Sequence, residues 1–187
     1  MAVKIEAKMK VDDLDAIRLR LRDAGGRHHG AVLETNTFFD DAARSLVGSD
    51  KGLRLRRTRD VNSGERHGII TVKGPLQNGQ LKRREEGEFE VSDAERAQDV
   101  LRMLGYTPTL TFEKRRESWT LGGCKVELDE LPHLGQFVEI EGPDEATVMR
   151  VRESLRLESE PLIRTGYISM LSSFLKERND ARTSVTF

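Results

Sequence analysis

Short segments in which apolar and charged residues alternate run through most of the chain. Leu53 to Arg56 reads leucine, arginine, leucine, arginine, and Val126 to Asp129 alternates aliphatic with acidic residues. Phe137 to Glu141 repeats this alternation. Because successive side chains of a β-strand point to opposite faces, each segment predicts a strand with one apolar and one ionic face.

Segments of this kind, bounded by turn residues, predict eight strands at 3–11, 31–39, 52–59, 66–74, 81–91, 109–121, 124–131 and 136–141. Four helices are predicted, at 14–24, 94–104, 145–157 and 166–177, the first three opened by aspartate caps, and residues 40–51 are predicted as a polar loop. Residues 1–177 are therefore expected to form a single domain, followed by a frayed polar tail at 178–187.

Amphipathic helices can cover the apolar strand faces, so the predicted class is α+β. If the sheet curls, its ionic faces converge on one concavity. Charged residues make up 34% of the chain against a usual ~25%, yet the formal net charge is −1. Such a concavity explains this balance, and arginine, lysine and carboxylate groups together are what a metal-bound polyphosphate requires. The alternative is an open sheet whose solvated face carries cross-strand ion pairs.

Several other classes of protein are disfavoured. Cys124 is the only cysteine, which excludes an intrachain disulfide and a cysteine metal cluster. The sequence lacks the GxxxxGK[ST], GxGxxG, HExxH and GxSxG motifs, and it has no apolar run of the ~20 residues that a membrane span needs. The near-neutral charge argues against nucleic acid as a partner. We expect a cytoplasmic protein without a membrane partner.

The order of the motifs resembles the CYTH superfamily, the triphosphate tunnel metalloenzymes, over about residues 3–175. The resemblance depends on Lys4-Ile5-Glu6-Ala7-Lys8, Leu53-Arg54-Leu55-Arg56, Thr71 to Pro75, Arg84 to Glu90, Glu113 to Arg116, Leu128 to Gly135, Phe137 to Glu141 and Arg164 to Tyr167. Leu104-Gly105-Tyr106 and the segments that follow it look most like the class IV adenylyl cyclase branch.

This resemblance implies an eight-stranded antiparallel barrel or tunnel with an ionic lumen, helices packed outside and often a homodimeric assembly. It also implies a Mg²⁺- or Mn²⁺-dependent enzyme whose partner is a triphosphate-containing small molecule. The expected activity is adenylyl cyclase-like, converting ATP to cyclic AMP and pyrophosphate. The alternatives are an inorganic or organic triphosphatase, acting on tripolyphosphate or thiamine triphosphate, and a non-catalytic polyphosphate- or nucleotide-binding module.

Two positions depart from the superfamily pattern. Lys4 stands where the first acid of the Glu-x-Glu-x-Lys signature is expected, and Gly166 stands where serine usually precedes tyrosine. Replacing a carboxylate by an ammonium group is expected to weaken binding of a second divalent ion more than binding of the phosphates. Lys4 is also the feature that favours the non-catalytic alternative.

The strand faces and the resemblance together assign candidate roles. The candidate metal ligands are Glu6, Asp129, Glu139 and Glu141. The candidate triphosphate-binding cations are Lys8, Arg54, Arg56, Lys73, Arg84, Lys114 and Arg116. Within that set, the candidate catalytic residues are Lys8, Lys73 and Arg116. The carboxylates predicted to support the lumen are Glu86, Glu88, Glu90 and Glu127.

Each role has a structural alternative. The metal ligands can instead pair with lysines or arginines across the strands, and for Glu127 both roles are equally expected. Lys8 can form a structural ion pair with Glu6. Arg116 can face solvent beside the predicted hairpin, and Glu90, next to a helix cap, can simply be solvated. Trp119 and Tyr167 can stack on a base or pack at the rim of the barrel.

Overall fold

The computed structural model describes residues 2–187 and folds them into a closed antiparallel β-barrel. Its eight strands are β1 (Ala2–Val11), β2 (Arg27–Asp40), β3 (Gly52–Asp60), β4 (Arg66–Leu76), β5 (Lys82–Val91), β6 (Thr107–Leu121), β7 (Cys124–Leu131) and β8 (Gly135–Gly142). They are ordered β2-β3-β4-β5-β1-β8-β7-β6, and pairing between β2 and β6 closes the barrel. The predicted eight-stranded barrel is therefore confirmed.

Five helices connect or flank the strands: α1 (Leu14–Asp23), α2 (Ser45–Gly48), α3 (Ala94–Met103), α4 (Glu145–Ser154) and α5 (Tyr167–Glu177). Asp13, Asp93 and Asp144 cap α1, α3 and α4 through hydrogen bonds to backbone N–H groups of the first turn. The short helix α2 lies inside residues 40–51, which the sequence predicts as a loop. None of the helices between residues 2 and 187 is both long and apolar enough to cross a membrane.

The largest hydrophobic core lies outside the barrel, where α1 and α4 cover β1, β7 and β8. Ile5, Val126 and Ile140 are buried there, on the strand faces opposite to the charged residues. Gly142 permits the close approach of α4, because a Cβ atom at this position would lie 2.6 Å from Cys124 Sγ and 2.9 Å from a methyl group of Val148. The apolar faces of the alternating strands therefore pack against the helices.

Two smaller cores complete the packing. Leu101 of α3 packs with Leu53, Leu55 and Ile70 on the outer faces of β3 and β4. Helix α5 packs instead on inward-facing residues such as Phe112, which lies on the same face of its strand as the charged residues. This helix consequently lies at one end of the barrel interior.

The chain ends in a short strand, β9 (Ser184–Val185), which pairs in parallel with β6. Val185 is 1% exposed and packs in the same core as Phe112. The prediction of fraying over 178–187 is therefore wrong at these two residues, because a single apolar side chain finds a site beside β6.

Candidate active site

The ionic strand faces meet inside the barrel around a cavity of about 640 Å³. Twelve lysine and arginine side chains and eight aspartate and glutamate side chains line this cavity. Its wall thus has four more cationic than anionic groups, although the whole chain has a formal net charge of −1. Such a concentration of positive charge attracts a polyanionic ligand.

Most of the predicted site residues come together at this cavity. Those that line it are Glu6, Lys8, Arg54, Arg56, Lys73, Arg84, Glu86, Glu88, Lys114, Arg116, Glu127, Glu139 and Glu141. Glu90 is exposed and is not part of the cavity wall. This agrees with its alternative role as a solvated residue next to the cap of α3. Asp129 lies in the barrel interior but not on the cavity surface.

Arg116 is surrounded by carboxylates. Its Nε donates to Asp129 Oδ1 at 2.7 Å, and its Nη2 donates to Asp129 Oδ2 at 2.6 Å and to Glu139 Oε2 at 2.5 Å. Glu34 and Glu127 each place an oxygen 3.8 Å from its Nε. These carboxylates raise the pKa of Arg116 against the opposing effect of burial. We call Glu34, Lys114, Arg116, Asp129 and Glu139 the paired cluster.

Asp129 uses both oxygens within the paired cluster. Besides Arg116, it accepts hydrogen bonds from Lys114 Nζ at 3.1 Å and from the Tyr167 hydroxyl at 2.9 Å. Its side chain is 0% exposed. As placed, Asp129 therefore has no oxygen available to a metal ion in the cavity, and its geometry is that of a positioning residue for Arg116 and Lys114.

Glu34 also belongs to the paired cluster, although the sequence analysis did not single it out. Its Oε1 lies 3.1 Å from Arg56 Nη1, and its Oε2 lies 3.3 Å from Lys114 Nζ. Burial alone would raise the pKa of Glu34, but Arg56, Lys114 and Arg116 outweigh it and lower this pKa. Asn36 bridges the pair, accepting from Arg56 Nε and donating to Glu34 Oε2.

Arg54 has the opposite environment to Arg116. It is 8% exposed, and no carboxylate of the described residues lies within 4 Å of its guanidinium group. Its Nη2 donates to Thr71 Oγ1 at 2.9 Å, whereas its buried Nε has no hydrogen-bond partner among residues 2–187. Burial and the neighbouring Arg56 lower the pKa of Arg54. Among the buried cations of the wall, which are Lys8, Arg54, Lys114 and Arg116, this guanidinium group is the one without a carboxylate within 4 Å in the described part of the chain.

Lys73 is a second cation of the wall whose pKa is lowered, and Arg54 is the nearby charge that lowers it most. Its Nζ lies 2.6 Å from Glu86 Oε1. Burial and the charge of Arg54 nevertheless lower the pKa of Lys73 to about 7. An anion bound between Arg54 and Lys73 would relieve this repulsion.

Lys8 is 1% exposed, and three groups surround its ammonium. Its Nζ lies 3.2 Å from Glu139 Oε1, donates to the Thr165 carbonyl at 3.1 Å, and sits 3.9 Å from the ring centroid of Tyr167. Glu6 is farther away, at 3.8 Å. The ion pair suggested for Lys8 therefore forms mainly with Glu139.

Glu6 and Glu141 face each other directly across β1 and β8. Glu6 pairs with Lys82 at 3.1 Å, whereas Glu141 has no ion pair within 4 Å among the described residues. Burial raises the pKa of Glu141. Within residues 2–187 no three acidic, histidine or cysteine side chains form a ready-made metal cage. Two carboxylates nevertheless fit Mg²⁺, which is commonly held by one or two carboxylates together with substrate phosphates and water.

Arg84 is engaged with the connection between β2 and β3. Its Nη1 donates to the carbonyl groups of Gly74 at 2.6 Å and Asp50 at 2.8 Å, and its Nη2 donates to Asp50 Oδ1 at 2.7 Å. Although it lines the cavity, this residue as placed directs three of its five guanidinium N–H groups to Asp50 and Gly74.

One part of the cavity wall is apolar. It is formed by Phe38 of β2, Leu110 and Phe112 of β6, and Ile168 of α5, and the rings of Phe38 and Phe112 stack with centroids 6.1 Å apart. Tyr167 also lines the cavity, while Trp119 is buried in the outer core. A planar organic group could pack in this part beside the cationic part.

Several cavity residues were missed from the sequence. Lys82 and Lys125 have the same strand orientation as Arg84 and Glu127, so strict alternation could have identified both. Asn36, which lines the cavity, and Glu34, which is buried beside it and does not line the cavity, gave a weaker signal, because uncharged threonines and phenylalanines surround them in β2. Lys4 also lines the cavity.

Comparison with known proteins identifies relatives along nearly the whole chain. The CYTH domain family model matches residues 2–167. An adenylate cyclase named CyaB, from Aeromonas hydrophila, is 31% identical over 159 residues, which is 82% of this chain and 76% of the relative. A protein of Methanocaldococcus jannaschii, named as a proposed adenylate cyclase, is 24% identical over 90% of this chain and 98% of its own length.

Solved structures share the fold. The PH1819 protein of Pyrococcus horikoshii superimposes with a TM-score of 0.80 and 26% identity, covering 91% of this chain and 99% of that one. HpAC1 from Hippeastrum, a proposed adenylyl cyclase described as having a dominant triphosphatase activity, gives a TM-score of 0.71 at 20% identity, covering 93% and 96% of the two chains.

Proposed function

The chain belongs to the CYTH domain family, and we propose that it is a metal-dependent enzyme that converts ATP to cyclic AMP and pyrophosphate. The observation that carries the proposal is Arg54, a buried arginine at the cavity wall that has no carboxylate partner, and no partner for its Nε, among residues 2–187. A buried, uncompensated guanidinium group favours a bound anion, and phosphate oxygens suit its planar geometry. The name of the Aeromonas relative supports the cyclase activity.

In this proposal Arg54 and Lys73 bind the phosphates. Lys114 and Arg116 face the same cavity, and their partners Glu34 and Asp129 keep them fixed as the negative charge of the phosphates shifts during reaction. The ribose 3′-hydroxyl attacks the α-phosphorus, and the bond between the α-phosphorus and its bridging oxygen breaks. Pyrophosphate leaves with that oxygen, and the hydroxyl proton passes to solvent water.

A divalent ion would be held by Glu6 and Glu141, with Glu139 close by on the same face of β8. When bound, Mg²⁺ or Mn²⁺ polarises a phosphoryl oxygen and offsets phosphate charge. Lys8, fixed by Glu139 and Tyr167, lies beside Glu6, with its Nζ 3.8 Å from Glu6 Oε1.

The apolar part of the cavity supports a nucleotide over an inorganic triphosphate. Phe38, Phe112 and Ile168 provide a surface on which a base can pack while the phosphates extend toward Arg54. Tripolyphosphate would leave this surface uncovered. We therefore place the base of ATP at Phe38 and Phe112.

A triphosphatase activity is the second candidate. In that reaction water attacks the terminal phosphorus, with the same cations binding the chain of phosphates. The activity described for HpAC1 favours this alternative.

The test is ³¹P NMR of the purified protein with ATP, and separately with tripolyphosphate, in Mg²⁺, Mn²⁺ or EDTA. We expect cyclic AMP and pyrophosphate from ATP, only with a divalent ion. Orthophosphate from either substrate would show that the protein is a triphosphatase and not a cyclase. If the phosphate signals broaden without turnover in every condition, the protein binds triphosphates but does not catalyse a reaction on them.

A further inference from the structure

Lys4 lies in an acidic part of the cavity formed by β1, β5 and β8. Its Nζ is 3.3 Å from Glu88 Oε1 and 3.7 Å from Glu86 Oε2. Burial raises the pKa of Glu141, and the charge of Lys4 acts against this rise. The ammonium group therefore pairs with two carboxylates of β5, and its charge also acts on a third carboxylate, on β8.

These contacts are those of a cation in a carboxylate site. An ammonium tethered to the chain brings one positive charge to this position without the cost of removing water from a free divalent ion. It also repels any free cation that approaches the same oxygens. Glu6 and Glu141 lie next to this position, on β1 and β8. Glu141 has no ion pair among the described residues, and Glu6, both of whose oxygens accept from Lys82, would exchange that contact for a metal ion.

We propose that the Lys4 ammonium occupies the cation position at Glu86 and Glu88, so that the protein binds its triphosphate with a single divalent ion, held at Glu6 and Glu141. The inference rests on the proposed function, since it concerns the metal content of the triphosphate complex. It assigns to Lys4 the charge that a second metal ion would otherwise supply.

The test counts Mn²⁺ by electron paramagnetic resonance in protein saturated with α,β-methylene-ATP. The wild-type protein is expected to hold one Mn²⁺ per chain. Lys4→Gln removes the charge and keeps a polar side chain that is one atom shorter, and Lys4→Glu adds a further ligand. Both variants are expected to hold two. Lys10→Gln, an exposed position on the same strand, is the matched control and should hold one.

Two bound Mn²⁺ ions in the wild-type protein would overturn the inference. A count of one in both Lys4 variants, with circular dichroism showing a folded protein, would overturn it as well. Calorimetric titration with the ATP analogue separates this failure from failure of the proposed function. If the analogue does not bind at all, the triphosphate site is wrong and the inference fails with it. If it binds and the count is two, only the role of Lys4 is wrong.

Discussion

Arg54 and Arg116 are both buried arginines on the wall of one cavity, yet their surroundings are opposite. Arg116 has four carboxylates within 4 Å, and its pKa is raised. Arg54 has none among the described residues, keeps an unpaired Nε, and has a lowered pKa. The difference separates two uses of a buried charge: the charge of Arg116 is neutralised by the protein, whereas that of Arg54 is left for a ligand.

The largest effect is expected from Arg116→Met. Removing this side chain leaves Asp129 and Glu139 without their main partner, and breaking a buried pair costs about 3–5 kcal/mol. The free energy of unfolding, measured in urea, should fall by that amount. A loss of less than about 1 kcal/mol, the usual value for an exposed pair, would mean that the paired cluster is not structural.

Arg54→Met should affect binding and leave stability intact. Because Arg54 has no charged partner within 4 Å in the part of the chain that the structure describes, its removal should leave the urea midpoint unchanged or raise it. Removing one member of a buried charged contact costs about 2–5 kcal/mol, so affinity for α,β-methylene-ATP should fall roughly 30-fold or more. Calorimetry measures this affinity, and Arg57→Met, on the same strand but outside the cavity, serves as the control. Unchanged affinity would contradict the assignment of Arg54.

Glu34→Gln tests whether the paired cluster restrains the binding of phosphates. Gln keeps the shape of the side chain but no longer neutralises Arg56, Lys114 and Arg116. We expect the ATP analogue to bind about fivefold more tightly, equivalent to about 1 kcal/mol, with a lower free energy of unfolding. Weaker binding would indicate that Glu34 only maintains the structure.

Lys73 gives the smallest but most specific signal, the uptake of a proton. Its pKa of about 7 lies below the ordinary lysine value of 10.5, so between these values the free protein holds less than a full proton there. A bound phosphate favours the ammonium form and should draw in up to one proton at pH 8.5. Binding enthalpies in buffers of different ionisation enthalpy measure this uptake, and Lys73→Arg should abolish it.

The same pKa affects stability. Between about pH 7 and 10.5 the unfolded chain binds more protons at Lys73 than the folded protein does, so this residue makes stability rise with pH in that window. Lys73→Met should flatten the rise. A stability that falls from pH 7 to 9 equally in both proteins would contradict the lowered pKa.

The alternation of residues predicted the barrel and most of its cavity because orientation along a strand is a local property. Arg54, Lys73 and Glu141 each lie beside an aliphatic neighbour, and that is enough to assign the inner face. The division of those charges into paired and unpaired groups was not predictable. Asp129 is removed from the cavity surface by Arg116 and Tyr167, which reach it from another strand and from α5.

Glu34 is a second residue whose role could not be predicted from its own strand. Strand β2 alternates only weakly, and the importance of Glu34 arises from Lys114 and Arg56 on its two neighbouring strands. Those pairings depend on how the barrel closes between β2 and β6, which the order of the strands along the chain does not give. Val185 was missed for a similar reason, since its burial requires β6 beside it.

The most direct test is a crystal structure of the protein with α,β-methylene-ATP and Mn²⁺. We predict that a phosphate oxygen accepts a hydrogen bond from Arg54 Nε at about 3 Å, while Arg116 keeps its two bonds to Asp129. A structure in which the phosphates displace Asp129 from Arg116, and Arg54 stays unpaired, would contradict the account.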